Sequence, residues 1–283
     1  RASESVQRVA AMLGSMEFYL LASGSKGNCF VLKTAATQIV IDCGTTRTYL
    51  TRSFHMIGVD YLNTEALLVT HGHRDHTSQL KMFSGVEAYA AFSLENRADQ
   101  HWIKPYTPFQ VGDLRVTPLP LSHDAENTVG FVLETAQEKL VYITDTGYVR
   151  EECVPLIADA DYYVMESNHD VGMLMQTRRP YPIKMRILSD SGHLCNEDCA
   201  HLLTRLVTPR TRSIFLAHLS EEANQPQLAR QVSADALKQC ACRKDLVLKA
   251  AGQYEILMGG CRYEERLDSA YRPAGVLELG SDR

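Results

Sequence analysis

The chain has 283 residues, 45% of them hydrophobic, which suffices for one large core and leaves no low-complexity stretch to act as a linker. No apolar run approaches the roughly eighteen residues that span a bilayer, and the N-terminus lacks the charged-then-apolar layout of a secretory signal, so the sequence predicts a soluble, cytoplasmic protein with no membrane contact. The formal charge of -5 argues against a nucleic-acid partner, but two bound divalent ions would bring the balance near neutral and concentrate their charge at one cleft.

In chain order, residues 1–15 carry Val6, Val9, Ala10 and Leu13 at helical spacing but precede Met16, and read as an extension or a cloning remnant. A single domain is expected over 16–261. Strand patterns follow at Phe18 to Ala22, Cys29 to Lys33 and Gln38 to Asp42. The turn from Ser23 to Asn28 reads either as a hairpin turn or as a loop whose amides and Lys26 approach a phosphate. Thr45 or Thr46 caps a helix running to about Ile57.

The apolar run Ala66 to Thr70 then ends in His71-Gly72-His73-Arg74-Asp75-His76. Successive side chains of an extended segment point opposite ways, so His71 and His73 share a side and can pinch one ion. Asp75 and His76 fall past the bend and can face a second. Imidazole and carboxylate together suit Zn, Mn or Fe, and the pattern predicts two metals.

Beyond it, Thr77 to Phe83 reads as a short helix, Val86 to Ala90 as a strand and Phe92 to Asp99 as another helix. Strands are expected at Leu114 to Leu119, Val129 to Glu134 and Leu140 to Thr144, with His123 and Asp145 placed where open sheets put their chemistry, past strand ends. Tyr162 to Met165 and Ser213 to Ala217 read as strands, the latter ending at His218. Asn196 caps a helix to Leu206, Pro226 to Leu237 forms an amphipathic helix, and Leu246 to Ala250 with Tyr254 to Met258 close the sheet. Residues 262–283 have no period and read as a tail. The eight cysteines are scattered, with Cys29 and Cys43 inside strand-like runs where a reduced thiol packs as a small hydrophobe. Cys195-x-x-x-Cys199 and Cys240-x-Cys242 lack a second pair at finger-like spacing.

His-x-His-x-Asp-His after a hydrophobic strand resembles the signature of the metallo-β-lactamase superfamily. That resemblance implies an α/β fold, a four-layer αββα sandwich of two mixed sheets flanked by helices. Ser23-Gly24-Ser25-Lys26-Gly27-Asn28, Glu166-Ser167-Asn168-His169-Asp170, Gly192-His193-Leu194-Cys195-Asn196 and Ala217-His218-Leu219-Ser220 are similar to its YycJ (WalJ)-type subgroup, proteins reported as DNA exonucleases. The similarity runs from about Phe18 to about Met258.

The resemblance implies a first ion on His71, His73 and His123, a second on Asp75, His76 and His218, and Asp145 between them. Asp42 would brace the metal loop without binding metal. A metal-activated hydroxide between two ions about 3.5–4 Å apart would attack a phosphodiester, with DNA as the expected partner. Asp75, His193 and Glu166 are the expected catalytic residues: His193 resembles the proton-donating histidine of related transfer-RNA-processing nucleases and Glu166 its partner. His169 is the alternative donor, and Lys26, Asn28 and His169 are expected at the substrate. The iron-dependent redox branch has a glutamate where this chain has His73, so hydrolysis is expected.

Lys26, Arg74, Arg178, Arg179, Lys184 and Arg186 add basic character for a phosphodiester. Against it stand two departures from the subgroup: Cys195 where a serine is usual, and Ala223 before Asn224 where paired asparagines are common. The competing reading is a hydrolase of a small phosphodiester, thioester or lactone, which needs a narrow pocket where a nuclease needs a strand-wide groove.

Overall fold

The structure, a computed structural model, describes residues 14–260 of the chain. Most of the expected N-terminal extension and all of the expected tail lie outside these residues. Gly14 is already tied to the fold, its carbonyl accepting the Thr135 hydroxyl at 2.6 Å.

Among the described residues, fourteen strands form two sheets of seven. The first has the order β14-β1-β2-β3-β4-β5-β6, from β14 (Leu257–Gly260) through β1 (Glu17–Ala22), β2 (Cys29–Lys33), β3 (Gln38–Ile41), β4 (Ala66–Leu68) and β5 (Glu87–Ala90) to β6 (His101–Trp102). The second has the order β13-β12-β11-β10-β9-β8-β7, from β13 (Val247–Ala250) through β12 (Ser213–Ala217), β11 (Tyr162–Glu166), β10 (Lys139–Ile143), β9 (Val129–Glu134) and β8 (Leu114–Pro120) to β7 (Phe109–Val111). Both are mixed in the same way. Antiparallel pairing gives way to a parallel run, β3 to β6 in one and β10 to β13 in the other.

Alternation in β1 shows why the sheets stack. Phe18 and Leu20 point into the space between them, where Phe18 meets Phe30, Tyr162 and Phe215 at ring separations of 5.8, 5.0 and 5.4 Å. Tyr19 and Leu21 point outward. Trimming such a buried aromatic to alanine typically costs about 3–5 kcal/mol.

Helices α1 (Arg47–Met56), α2 (Arg74–Thr77), α3 (Val154–Ile157), α4 (Val171–Gln176), α5 (Tyr181–Leu188), α6 (Asn196–Leu206) and α7 (Pro226–Leu237) complete the described helical segments longer than a single 3-10 turn. Leu50 and Phe54 of α1 cover the first sheet's outer face, while Leu203 and Leu206 of α6 and Leu237 of α7 cover the second's. The result is the expected αββα order of layers. No helix among the described residues is long and apolar enough to cross a membrane.

Several expectations are corrected. Phe92 to Asp99 is not helical: Asn96 takes φ 56°, and side chains replace the helical ladder, Gln100 bonding Leu94 N at 2.6 Å and Phe92 O at 2.7 Å. The segment after the histidine motif splits into α2 and a 3-10 turn at Leu80–Phe83. The last strand is Leu257–Gly260, beyond the expected Tyr254 to Met258. Cys195 caps α6, its Sγ accepting from Asp198 N at 3.4 Å, and Asn196 is the first helical residue.

Candidate metal centre

Strand β4 is flanked by β3 and β5 in parallel, so the chains leaving β3 and β4 emerge at the same edge of the sheet. Asp42 leaves β3 in the left-handed region, φ 59°, which aims its wholly buried carboxylate across at the next loop. It accepts from Thr70 N at 2.8 Å and Thr70 Oγ1 at 2.8 Å, and lies 2.7 Å from His76 Nδ1. Donation from Nδ1 to Asp42 turns His76 Nε2 inward, to 3.5 Å from Asp75 and 3.3 Å from Asp145. Burial works against the imidazolium, yet the charges of Asp42 and Asp145 outweigh it and hold the His76 pKa well above its usual value.

His71 is wholly buried, with Nδ1 3.0 Å from the Thr70 hydroxyl. Burial, then the neighbouring histidines, push its pKa far down, so the ring is neutral and offers a lone pair. His73 is more open, 42% exposed, with Nδ1 3.4 Å from His123 Nε2. His123 is oriented from behind by the Gly192 carbonyl, 3.2 Å from its Nδ1.

Asn28 is 1% exposed and its amide is engaged inside the loop. It exchanges bonds with Gly24 N and O at 2.8 and 2.9 Å, and its Nδ2 lies 2.9 Å from His76 Nε2. Its backbone N–H donates to the Asp75 carbonyl at 2.8 Å while Gly44 N donates to its own carbonyl at 2.9 Å. A Cβ on Gly44 would sit 1.7 Å from the Asp75 carbonyl oxygen, so only glycine fits there. Asn28, expected at the substrate, has its amide and backbone tied to the loop that carries Asp75 and His76.

The second sheet supplies its groups by strand order. β10, β11 and β12 are parallel neighbours, and Asp145, Glu166 and His218 stand at or just past their ends. Asp145 and His218 are again left-handed, φ 57° and 56°. Asp145 Oδ1 lies 3.4 Å from His218 Nε2 and 3.8 Å from His123 Nε2. Glu166, wholly buried, places Oε1 2.7 Å from His193 Nδ1 and 3.0 Å from His218 Nδ1, and its Oε2 accepts from Thr146 N at 2.8 Å.

Four overlapping groups each bring their ligating atoms within 4.8 Å of one another: His71, His73 and His123; Asp75, His76 and His218; His71, His76 and Asp145; and Asp145, Glu166, His193 and His218. Among the described residues, His71 Nε2, His218 Nε2 and Asp145 Oδ2 are buried without a hydrogen-bond partner. Orphaned polar atoms are costly in an interior, and three that converge among imidazoles and carboxylates fit a divalent cation. The seven expected ligands come together here, as do Asp42, Glu166 and His193.

His169, 1% exposed, lies outside the four groups with Nε2 unpartnered. Lys26 stands at the rim, 2.6 Å from Glu221. Three of the other basic residues are engaged elsewhere: Lys184 is buried against the Met175 carbonyl at 2.7 Å, Arg179 meets Glu222 at 2.8 Å and Arg186 meets Asp124 at 2.5 Å. Asp124, which directly follows His123 in sequence, adds a further carboxylate 3.3 Å from His123 Nε2 that no sequence motif marks.

The sequence pattern of the family described as Beta-lactamase superfamily domain matches residues 37–218. The chain belongs to the β-lactamase superfamily. Exodeoxyribonuclease YycJ of Bacillus anthracis is 34% identical over 237 residues, covering 79% of this chain and 90% of that protein. Exodeoxyribonuclease WalJ of Streptococcus pneumoniae is 32% identical over 238 residues, 79% of this chain and 88% of its own. The metallo-β-lactamase fold protein YhfI from Bacillus subtilis superposes with a TM-score of 0.64 at 14% identity, over 87% of this chain and all of that one, and shares the fold. As a β-lactamase superfamily member the chain is a metal-dependent hydrolase, and divalent cations belong in the centre described above.

Proposed function

We propose that this superfamily member is a DNA exonuclease with two divalent ions, zinc or manganese: one among His71, His73 and His123, the other among Asp75, His76 and His218. Asp145 is common to both, and its position carries the reading: Oδ1 lies 3.8 Å from His123 Nε2 of one triad, and Oδ2 3.3 Å from His76 Nε2 of the other. When bound, such ions supply Lewis acidity and lower the pKa of an attacking water. The names of the two relatives support DNA as substrate. That substrate, with seven unpaired cysteines among the described residues, fits a cytoplasmic location.

The chain's own groups handle charge and proton. Burial would raise the Asp75 pKa, but the hydrogen bond and charge of His76 win and lower it to about 2, leaving an ionised ligand at working pH. His193 directs Nδ1 at Glu166, which leaves Nε2 to carry a proton to the departing oxygen. Burial opposes that proton, yet Glu166 by charge and hydrogen bond raises the His193 pKa to about 9. Burial instead lowers His169 to about 4, so it is neutral and the poorer donor.

The test offers end-labelled linear DNA, circular DNA and a small chromogenic phosphodiester to protein loaded with Zn or Mn. Shortening of linear DNA from its ends with circles left intact is expected. Equal cutting of both forms, or turnover of the small diester alone, overturns the exonuclease reading.

A further inference from the structure

Two recesses on the described surface meet beside the metal centre. One, of about 520 Å³, is lined by Lys26, Arg47, Arg74 and Tyr254 and reaches Asp75. The other, of about 710 Å³, continues from Arg74 past Lys81 to Phe92 and Gly72. Arg74 and Ser78 belong to both walls, so the two form one trough along the Asp75 side of the centre.

The trough has the opposite charge to the chain as a whole, whose net charge is -5. Four exposed cations, Lys26, Arg47, Arg74 and Lys81, line it together with the buried Arg97, which is paired with Asp99, against two acids, Asp75, already assigned to the metal centre, and Glu95. Of the four exposed cations only Lys26 has an ion-pair partner among the described residues, and that bridge joins side chains 58% and 48% exposed, where solvent and a competing phosphate both have access. Arg47 opens helix α1, whose first turn holds no acidic residue, so the helix's amide end adds positive potential of the same sign. Tyr254, 47% exposed, is propped against Tyr49 at a ring separation of 4.8 Å and offers a face at one end.

We propose that this trough is the strand channel: it seats the sugar–phosphate backbone of single-stranded DNA running away from the metal centre, with Tyr254 as a stacking surface for an unpaired base. The proposal rests on the exonuclease reading above and adds where the rest of the strand lies. A small ester held at the ions would occupy only the part next to Asp75, whereas cations in two successive recesses suit a run of phosphates. A cationic groove with an aromatic face is how sequence-tolerant single-strand sites are built.

The experiment measures binding of a fluorescent single-stranded phosphorothioate oligonucleotide by anisotropy across a salt series, using the metal-loaded protein and the variants Arg47→Glu, Lys81→Glu and their combination. Both side chains are exposed, so folding is expected to survive, and metal content checks that the centre is intact. Each single variant should flatten the slope of log affinity against log salt by about 0.7, and the double variant should bind roughly tenfold or more weakly. Unchanged affinity and slope in the double variant overturn the channel, as does absence of binding by the unmodified protein. If the protein binds the strand through these residues but digests no DNA, the channel stands and the exonuclease reading falls.

Discussion

In the first sheet's half, His71, His73, Asp75 and His76 lie within six residues of one loop; the second sheet's half delivers His123, Asp145 and His218 from separate strand ends. Each half also has a wholly buried carboxylate that orients its histidines. Asp42 at the end of β3 faces His76 alone, while Glu166 at the end of β11 faces both His193 and His218. The compact half is set by local chain geometry, whereas the dispersed half, with His123 past β8, Asp145 past β10 and His218 past β12, exists only when β8 to β12 pair in register.

The sharpest way to break this contrast is to remove the group that joins the halves. Asp145→Ala should lose both ions and nearly all turnover, while Asp75→Ala should lose one ion and nearly all turnover. Metal analysis decides it, and two ions retained in Asp145→Ala would show that the halves bind independently. Next in size, His193→Ala should lose about 10²–10⁴-fold on a substrate with a poor leaving group, with little loss on a good one and unchanged metal content. Equal losses on both would make His193 a structural group.

The two orienting carboxylates come third. Asp42→Asn and Glu166→Gln should each cost about 10–100-fold in metal affinity or activity. Their pH profiles should differ. Glu166 is what raises His193 to about 9, so the protonated ring is held below that pH and lost as pH rises through it. Without the Glu166 charge, burial pulls the His193 pKa down and the basic limb of the rate profile moves to lower pH, whereas Asp42→Asn should leave that limb in place. The smallest effect is on α6: Cys195→Ser replaces a weak sulfur acceptor at the cap by a hydroxyl and should stabilise the fold by up to about 1 kcal/mol in chemical denaturation.

The same contrast governed what could be read in advance. The His71 to His76 string was legible because its ligands are neighbours in sequence, and strands β1 to β3 because apolar runs between turn residues mark them. Short edge strands such as β6, two residues long, leave no period to find. Helix α5 carries Pro180 and Pro182, residues that usually break helices, yet they sit at its cap and first turn, where a missing N–H costs nothing. Phe92 to Asp99 misled because its apolar spacing is helical while the bonds of Gln100 and Arg97 hold it in turns. Charges were least legible of all. Lys184 and Arg186 look free in sequence but are engaged, and Arg47 and Lys81 carry no sequence mark of the trough they line.

Gly44 has a consequence for reading variants. It binds no ion and lies outside both recess walls, but a single added methyl would collide with the carbonyl of Asp75. A library selected for turnover should therefore be as intolerant at position 44 as at the histidines. Unlike ligand losses, its alanine form should regain some activity when the medium is flooded with metal, because the ligands remain present and only their spacing is disturbed.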